Sequence, residues 1–472
     1  MAYAEKRGNL WRARWRGPDG TLEGLSGFET KTDAVDYGRD REAEIRKGTY
    51  VDPRAGSITL TEWVNDWFPS LDLEPTTLSN YRYMIEYHIL PAFGQRALNT
   101  LTTHEIAKWE KQLRGSGLSQ RTAAGARSTL TTVLADAIPR HIQSNPSERK
   151  RGKGRKGQGR IARIEKQEKG WTSPTQALHL AERAAVLSGF ETDFTMTITI
   201  AYTAMRWGEA LGLAPDRVHG DAVDVHWKLY ELDGHFYRGR PKDGSMRTID
   251  LPNFLGKILA EHLEKAARFA CTCRYPEGAD SDIPWCTGAE YVFLGGRGGH
   301  FRRSNYGARF FRPAADGVYP ERNGTRPRAR MPVLVDQAHP WPGKLVPPWP
   351  YADAQMPVYE PPGGRGRPRP GGATRFASWL PIQPGLTPHG LRHGHQTWMD
   401  EAGIPYPLQA ERMGHEVPGM RGVYSHVSAS MREALKSALQ AMWEQSLTER
   451  LRISTRSAVP ILDRLLREHR GA

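Results

Sequence analysis

At 472 residues the chain is too long for one ordinary domain, since domains usually hold about 150 residues. Its formal net charge of +14 favours a polyanionic partner, nucleic acid first and an anionic membrane surface second. The sequence has no run of about 18 apolar residues and no N-terminal secretory pattern, which argues against a membrane or secreted protein. With only three cysteines it has no disulfide framework, so we expect a cytoplasmic protein.

Residues 1–52 are predicted to form a small three-stranded sheet followed by a helix. Residues 9–15 alternate large and charged side chains, and a turn signal follows at residues 17–20. Further strands are expected at residues 21–25 and around Phe28, before a helix that is capped by Thr32 and runs toward Arg46. Three arginines share one face of the first strand and are candidate DNA contacts, unless that face is simply solvated: Arg12, Arg14 and Arg16.

Residues 57–147 are predicted to be an all-α domain. Aromatic and aliphatic residues recur at helical spacing in residues 61–68 and 77–90, and Pro91 stops the second run. Two more amphipathic stretches follow at residues 106–113 and 122–138. Short helices joined by glycine-containing turns are typical of a compact helical domain.

Residues 148–170 are predicted to be a basic linker. They have little apolar surface to bury and could follow a phosphate backbone, or act only as a tether. Five of its basic residues are candidate DNA contacts: Lys150, Arg151, Lys153, Arg155 and Lys156.

Residues 171–445 resume globular patterning and are predicted to form a mainly α (α+β) domain. An apolar helix is expected over residues 197–213, followed by strands near 223–230, 235–241 and 246–251. Residues 313–385 hold 16 of the 34 prolines, which predicts an inserted, mostly irregular surface segment. Residues 446–472 form a C-terminal tail.

Three separated segments contain the residues with evident chemistry. The first, residues 203–211, contains Arg206; the second, residues 241–249, contains Lys242. The third contains a histidine-arginine pair, a later histidine and a tyrosine: His389, Arg392, His415 and Tyr424. Two guanidiniums suit a phosphate that gains charge in the transition state, tyrosine can form a covalent intermediate, and lysine or histidine can protonate a leaving oxygen.

This ordered set of six residues resembles the active site of the tyrosine recombinase, or phage integrase, family. In the family's motifs, Arg206, Lys242, His389, Arg392, His415 and Tyr424 take the positions of the catalytic residues, and Glu209 takes that of an acidic neighbour of the first arginine. Ala204 stands where the family usually has glycine, and Met413 where it usually has leucine. Residues 77–94 and 145–146 are similar to the family's helical, SAM-like core-binding domain.

The resemblance implies a multidomain architecture: a small α+β arm-binding domain, an all-α core-binding domain and the catalytic domain. It also implies integration or excision of a mobile element through a 3′-phosphotyrosyl intermediate. The implied partners are double-stranded DNA at core and arm sites, further copies of the chain in a homotetramer, and accessory proteins of the excisionase and DNA-bending kinds. Neither a cofactor nor a catalytic metal is expected, and residues 446–472 would dock on a neighbouring subunit. The alternatives are a type IB topoisomerase-like strand transferase and a catalytically inactive DNA-binding regulator.

The three cysteines form a separate group. Cys271, Cys273 and Cys286 could bind a structural zinc ion with one histidine, such as His262 or His300. The alternative is an irregular loop with free thiols, since the Cys-x-Cys spacing is tighter than usual in zinc sites.

Overall fold

The computed structural model describes residues 1–48, 50, 52, 55–149, 170–265, 271–273, 286, 290–296, 298–321, 327, 329–336, 376–415 and 426–471. The chain divides into two compact units, Met1–Glu165 and Lys166–Ala472, and each is described here by itself. Within the described part, no helix has both the length and the apolarity to cross a membrane.

Unit 1 begins with an antiparallel sheet covered by one helix. The strands are β1 (Tyr3–Arg7), β2 (Leu10–Arg16) and β3 (Leu22–Phe28), in the order β1-β2-β3, and the helix is α1 (Lys31–Lys47). Alternation along β2 buries Ala13 and Trp15, and the Trp15 ring packs edge-on against Tyr37 of α1 with centroids 5.7 Å apart. The alternate β2 positions hold the three arginines, on the opposite face from this small core.

The rest of unit 1 is helical around one apolar core. The segments are α2 (Leu60–Trp67), α3 (Pro75–Met84), a π-helical turn (Ile85–Ile89), α4 (Leu90–Phe93), α5 (Thr103–Gly115) and α6 (Gln120–Ala135). Thr59 and Glu62 form a capping box at the start of α2, which satisfies backbone donors that the helix cannot. Trp63 lies in the core and donates its indole N–H to the Val133 carbonyl at 2.9 Å, tying α2 to α6.

Unit 2 is mainly helical, with short antiparallel strand pairs. Its helices are α7 (Pro174–Ser188), α8 (Glu191–Thr203), α9 (Trp207–Leu211), α10 (Asn253–Lys265), α11 (Arg303–Tyr306), α12 (Arg312–Asp316), α13 (Pro388–Glu401), α14 (Tyr406–Met413), α15 (Ala429–Ile453) and α16 (Pro460–Gly471). Its strands are β4 (Ala222–Val225), β5 (Lys228–Leu232), β6 (His235–Gly239), β7 (Arg247–Asp250), β8 (Val318–Tyr319), β9 (Met331–Pro332), β10 (Leu334–Asp336) and β11 (Phe376–Ser378). The strands pair as β4-β7, β5-β6, β8-β9 and β10-β11.

Helix α8 is the centre of unit 2. Every residue from 193 to 203 is buried, and the helix packs against α7, α10 and α13. Three of its buried threonines, Thr197, Thr199 and Thr203, donate their hydroxyls to carbonyls four residues earlier, so these polar groups are satisfied inside the domain. Because α8 ends at the active-site candidates, it holds them on a rigid support.

Two predicted segments differ from what is observed. The strand expected near residues 223–230 is two strands, β4 and β5, that pair with β7 and β6 respectively. Most of the proline-rich segment, residues 337–375, lies outside the described part of the chain, but its two ends pack in the core, where Ala314, Ala315 and Ile382 are buried. Small and aliphatic side chains flank the prolines there, and Arg312 begins a short helix that tolerates Pro313 in its first turn.

The C-terminal segment packs on its own unit in this single chain, and its docking on a neighbouring subunit stays a prediction. Arg450 of α15 makes a bidentate, fully buried ion pair with Glu182 of α7, at 2.8 and 2.7 Å. Ile461 and Leu462 of α16 are buried, and the Ile461 backbone N–H donates to Glu191 at 2.7 Å. The apolar residues Val459, Ile461, Leu462 and Leu466 therefore belong to the core of the same unit.

Candidate active site

Arg206 lies at a sharp junction between two helices. Ala204 ends α8 in the left-handed conformation with φ 57°, so the apolar run predicted as one helix is broken there. Arg206 is the N-cap residue of α9, and the Glu209 carboxylate accepts hydrogen bonds from its backbone N–H at 2.9 Å and from its Nη1 at 2.7 Å. The guanidinium is therefore fixed to the start of α9 by its own helix.

Arg247 is a second ligand of the same carboxylate. Its Nη2 lies 2.8 Å from Glu209 Oε2 and its Nε donates to the Arg412 carbonyl at 2.9 Å. The side chains of Arg247 and Glu209 are only 4% and 2% exposed, so water screens this pair little. Sequence reasoning assigned no role to Arg247. One signal was available in the sequence: Arg247 lies two residues before the buried Ile249 and so shares its face of the strand. An arginine on a buried face needs an acidic partner.

The charge of Glu209 is preserved by these two arginines. Burial acts to raise the pKa of Glu209, but hydrogen bonds and charge from Arg247, followed by the contacts of Arg206, outweigh it and hold this pKa below its ordinary value. Glu209 is therefore ionised near neutral pH and orients both guanidiniums.

Arg392 reaches the same region from α13. Its Nη1 donates to the Ala204 carbonyl at 2.6 Å, and its Nη2 donates to the Met413 carbonyl and, at 3.1 Å, to Nε2 of His415. Burial, followed by the charges of Arg206 and Arg247, lowers the pKa of Arg392. Its ordinary pKa is so high that the group stays cationic near neutral pH.

The arginines meet at one short turn after α14. Arg206 donates from Nη2 to the Gly414 carbonyl at 3.4 Å, next to the Met413 carbonyl that Arg392 contacts. Gly414 has φ 60°, and a Cβ there would lie 3.0 Å from Nη1 of Arg247, so glycine fits both the backbone and the space. We call Arg206, Arg247 and Arg392 the arginine cluster.

His415 faces the arginine cluster as a neutral imidazole. Burial, followed by the charges of Arg392, Arg206 and Arg247, lowers its pKa. Its Nε2 accepts the hydrogen bond from Arg392, which requires that nitrogen to be unprotonated. The side chain can therefore act as a proton acceptor when an anion displaces this contact.

Lys242 lies in the turn that joins β6 and β7. It begins a short 3-10 turn, Lys242–Gly244, and is exposed. Three residues later, Ser245 accepts a hydrogen bond from Nη1 of Arg206 at 3.1 Å. The turn therefore contacts the arginine cluster through Ser245, whereas no described contact joins Lys242 to it.

His389 opens onto a large cleft beside Arg206. It stands one helical turn before Arg392 on α13, as predicted from the His-x-x-Arg spacing. The cleft measures about 960 Å³, and Arg206, Arg303 and Arg312 also line it. Glu231 and Glu321 also line the cleft, so the three arginines leave one positive charge in excess, which favours an anion.

Two buried groups support the α13–α14 region. His395 donates from Nδ1 to the Ala201 carbonyl at 2.9 Å and accepts from Nε of Arg412 at 2.9 Å, which fixes one neutral tautomer. Burial, followed by the charge of Arg412, lowers the pKa of His395 well below its ordinary value. Arg412 also donates to the carbonyls of Tyr202 and Asp250, so it joins α14 to α8 and β7.

Several predicted site residues lie elsewhere or outside the described part of the chain. Tyr424 lies outside it, as do five linker residues: Lys150, Arg151, Lys153, Arg155 and Lys156. On β2, Arg14 pairs with Glu5 at 3.3 Å, and Arg16 donates to the Gly20 carbonyl at 3.0 Å. The structure thus brings together Arg206, Arg392 and His415, with His389 on the adjoining cleft.

Comparison with known proteins agrees with this reading. The family described as "Phage integrase, N-terminal SAM-like domain" matches residues 59–114, which span α2 to α5. The chain is 25% identical over 267 residues to the putative prophage phiRv2 integrase of Mycobacterium tuberculosis, covering 54% of this chain and 66% of that protein. It is 26% identical over 196 residues to the ICEBs1 integrase of Bacillus subtilis, covering 40% of this chain and 50% of that protein.

Residues 59–114 thus match the phage integrase N-terminal SAM-like domain, and the chain is similar in sequence to the phiRv2 and ICEBs1 integrases.

A solved structure extends this likeness to the fold. The Tn1549 transposon integrase in complex with transposon right end DNA matches with a TM-score of 0.52 at 15% identity, over 80% of this chain and 98% of that chain. The predicted fold class, a multidomain and mostly helical protein with a small N-terminal sheet, is confirmed. The alignments span two thirds or less of the two integrases named above, so they establish kinship rather than a shared activity.

Proposed function

We propose that this chain is a site-specific DNA recombinase that cleaves and rejoins strands through Tyr424, to integrate or excise a mobile element. The observation that carries the proposal is the arginine cluster: three buried or half-buried guanidiniums gathered at one turn beside a neutral histidine. Such a set suits a phosphodiester, whose non-bridging oxygens accept paired N–H donors and gain charge in the transition state.

In the proposed reaction, the Tyr424 oxygen attacks the scissile phosphorus and forms a phosphotyrosyl bond while the bond from phosphorus to the 5′ oxygen breaks. The phenolic proton passes to a base, for which His415 is suited by its lowered pKa. Lys242 protonates the departing 5′ oxygen, with His389 assisting in proton transfer and positioning. Rejoining reverses these steps with a 5′ hydroxyl from the exchanged strand, so no external energy source is required.

Arg206 and Arg392 have the role of phosphate clamp, and Arg247 acts through them as a positioning residue. Both clamp residues are already satisfied by protein acceptors, namely Glu209 and main-chain carbonyls of the α8–α9 junction and the α14 turn. Arginines held in place before the phosphate arrives lose little freedom on binding it, which favours catalysis.

Double-stranded DNA is the proposed substrate. The prophage, ICEBs1 and Tn1549 relatives are all named as integrases, and the Tn1549 structure contains transposon DNA. The net charge of +14 suits DNA, and the β2 arginines and the basic linker would contact arm and core sites respectively. A homotetramer on paired sites, with excisionase and DNA-bending partners, completes the proposal.

The test is covalent trapping on a nicked attachment-site DNA, followed by mapping of the linked residue. The wild-type chain and Tyr406→Phe should form a protein–DNA adduct, because Tyr406 is an exposed tyrosine at the start of α14 that the proposal leaves unused. Tyr424→Phe should bind the same DNA in a gel-shift assay and form no adduct. An adduct in Tyr424→Phe, or its loss in Tyr406→Phe, would contradict the assignment.

A further inference from the structure

Three thiols and one imidazole gather in unit 2 without sharing a residue with the arginine cluster. One ligand atom from each of Cys271, Cys273, Cys286 and His300 lies within 4.8 Å of all the others. These are the only three cysteines of the chain, and they come from two stretches separated by a dozen residues. Because all three cysteines of the chain lie beside one histidine, we infer that they share a ligand.

We propose that Cys271, Cys273, Cys286 and His300 bind a structural zinc ion. Zinc prefers tetrahedral sites of thiolate and imidazole, and a closed Cys₃His set without a water is structural and not catalytic. With Zn–S bonds of about 2.3 Å, a tetrahedron has S···S edges of about 3.8 Å. The Sγ atoms of Cys271 and Cys286 are 3.9 Å apart, which is already that spacing.

The structure distinguishes between the two histidines considered for the fourth ligand. His262 is buried but contacts the Val292 carbonyl through Nε2 at 3.0 Å. Both ring nitrogens of His300 are shielded from solvent and have no hydrogen-bond partner among the described residues. A buried polar group without a partner costs free energy, and a bond from one nitrogen to zinc would remove part of that cost.

A disulfide explains the cluster less completely than a metal ion does. The Sγ atoms of Cys271 and Cys286 stand 3.9 Å apart, whereas a disulfide brings them to about 2.05 Å. Any one disulfide would also leave a third thiol and the imidazole of His300 without a partner. A single metal ion satisfies all four groups together.

Zinc at this position would join a loop to the wall of the cleft that contains Arg206. The Cys286 backbone N–H donates to the Phe236 carbonyl on β6 at 3.4 Å, and the His300 ring lies 4.7 Å from the Phe236 ring. Phe236 and Phe301 both line the cleft. The metal would therefore hold the segment around residue 300 against the β5–β6 hairpin, and its role does not depend on the proposed DNA chemistry.

The experiment uses the full-length chain purified under reducing conditions, with zinc measured by elemental analysis. We expect one zinc ion per chain, and on exchange with Co²⁺ we expect the visible bands of a tetrahedral cobalt–thiolate site. Cys273→Ser should weaken metal binding at least about 100-fold. Losing a residue that only supports a ligand already costs about 10–100-fold, and losing the ligand itself should cost more. His300→Asn should shift the cobalt bands, whereas His262→Asn, the matched control, should leave them unchanged.

A second readout does not depend on how well the variants fold. Cys273 is the half-exposed cysteine of the three, so its alkylation in the wild-type chain, followed by mass spectrometry, should be slow with zinc and faster after chelation. A wild-type chain that takes up no zinc after reductive loading would overturn the proposal. So would cobalt bands that respond to His262→Asn and not to His300→Asn.

Discussion

Replacing Glu209 by glutamine removes the charge that orients the arginine cluster while keeping the size and shape of the side chain. The carboxylate accepts from Arg206 at 2.7 Å and from Arg247 at 2.8 Å, and its side chain is 2% exposed. A glutamine oxygen can accept from one guanidinium, but its NH₂ group then faces the other. At least one arginine is left without its acceptor.

The expected loss of stability follows from this burial. Removing one partner of a buried ion pair costs about 3–5 kcal/mol, because the remaining charge stays desolvated and uncompensated. Arg206 is 24% exposed and regains some hydration, whereas Arg247 is 4% exposed and regains almost none, so we expect about 3 kcal/mol. That figure corresponds to a change of more than 100-fold in the unfolding equilibrium, since about 1.4 kcal/mol is tenfold.

The assay is urea unfolding of the full chain, with Glu433→Gln as the matched control. Glu433 also pairs with a cation, Lys436 at 2.6 Å, but it is 69% exposed, so solvent screening should keep its loss below about 0.5 kcal/mol. The rate of DNA-strand cleavage by the Glu209→Gln chain should also fall, at least in proportion to the loss of folded protein. A Glu209→Gln chain within about 1 kcal/mol of wild type would refute the reasoning that a buried carboxylate holds the cluster together.

Three further changes test neighbouring parts of unit 2. Arg247→Lys keeps the charge but not the two-point contact with Glu209, so the rate of strand cleavage should fall about 100-fold. DNA affinity in a gel-shift assay should not change, and an unaltered cleavage rate would contradict a positioning role. The lowered pKa of His395 means that the unfolded chain binds a proton that the folded chain does not, so stability should fall as the pH drops below about 6.5. His395→Gln should remove about 1.4 kcal/mol per pH unit of that slope in urea unfolding at several pH values, and an unchanged slope would count against a buried neutral imidazole. Arg450→Met leaves Glu182 buried without its bidentate partner and should cost about 3–5 kcal/mol in the same assay, whereas a neutral effect would show that the C-terminal packing contributes little.

The sequence was most informative where chemistry fixes both residue type and spacing. Arg206 and Glu209 are three residues apart, and the structure joins them through the cap of α9. His389 and Arg392 were placed on one helix by the same reasoning, and both lie on α13. Short-range geometry of this kind depends on backbone periodicity alone, which the sequence reveals directly.

Long-range partners were not predictable in the same way. The contact between Arg247 and Glu209 depends on how the β6–β7 turn folds back on α9, and no local pattern contains that information. The break at Ala204 was missed because an apolar run resembles one helix, and alanine rarely adopts positive φ. The C-terminal helix has an apolar face, but periodicity cannot say whether it covers its own chain or another.

The hydrogen bond from Arg392 to the Ala204 carbonyl has a practical consequence for the choice of inactive variants. Ala204 is held at φ 57°, a conformation that costs an L-residue about 1–2 kcal/mol, and Arg392 is one of the groups that secures it. An Arg392 substitution should therefore lower the yield of folded protein as well as abolish turnover, so a silent Arg392 variant is ambiguous. A Tyr424→Phe variant keeps the bond from Arg392 to Ala204 and is therefore the better choice for capturing an intact substrate complex.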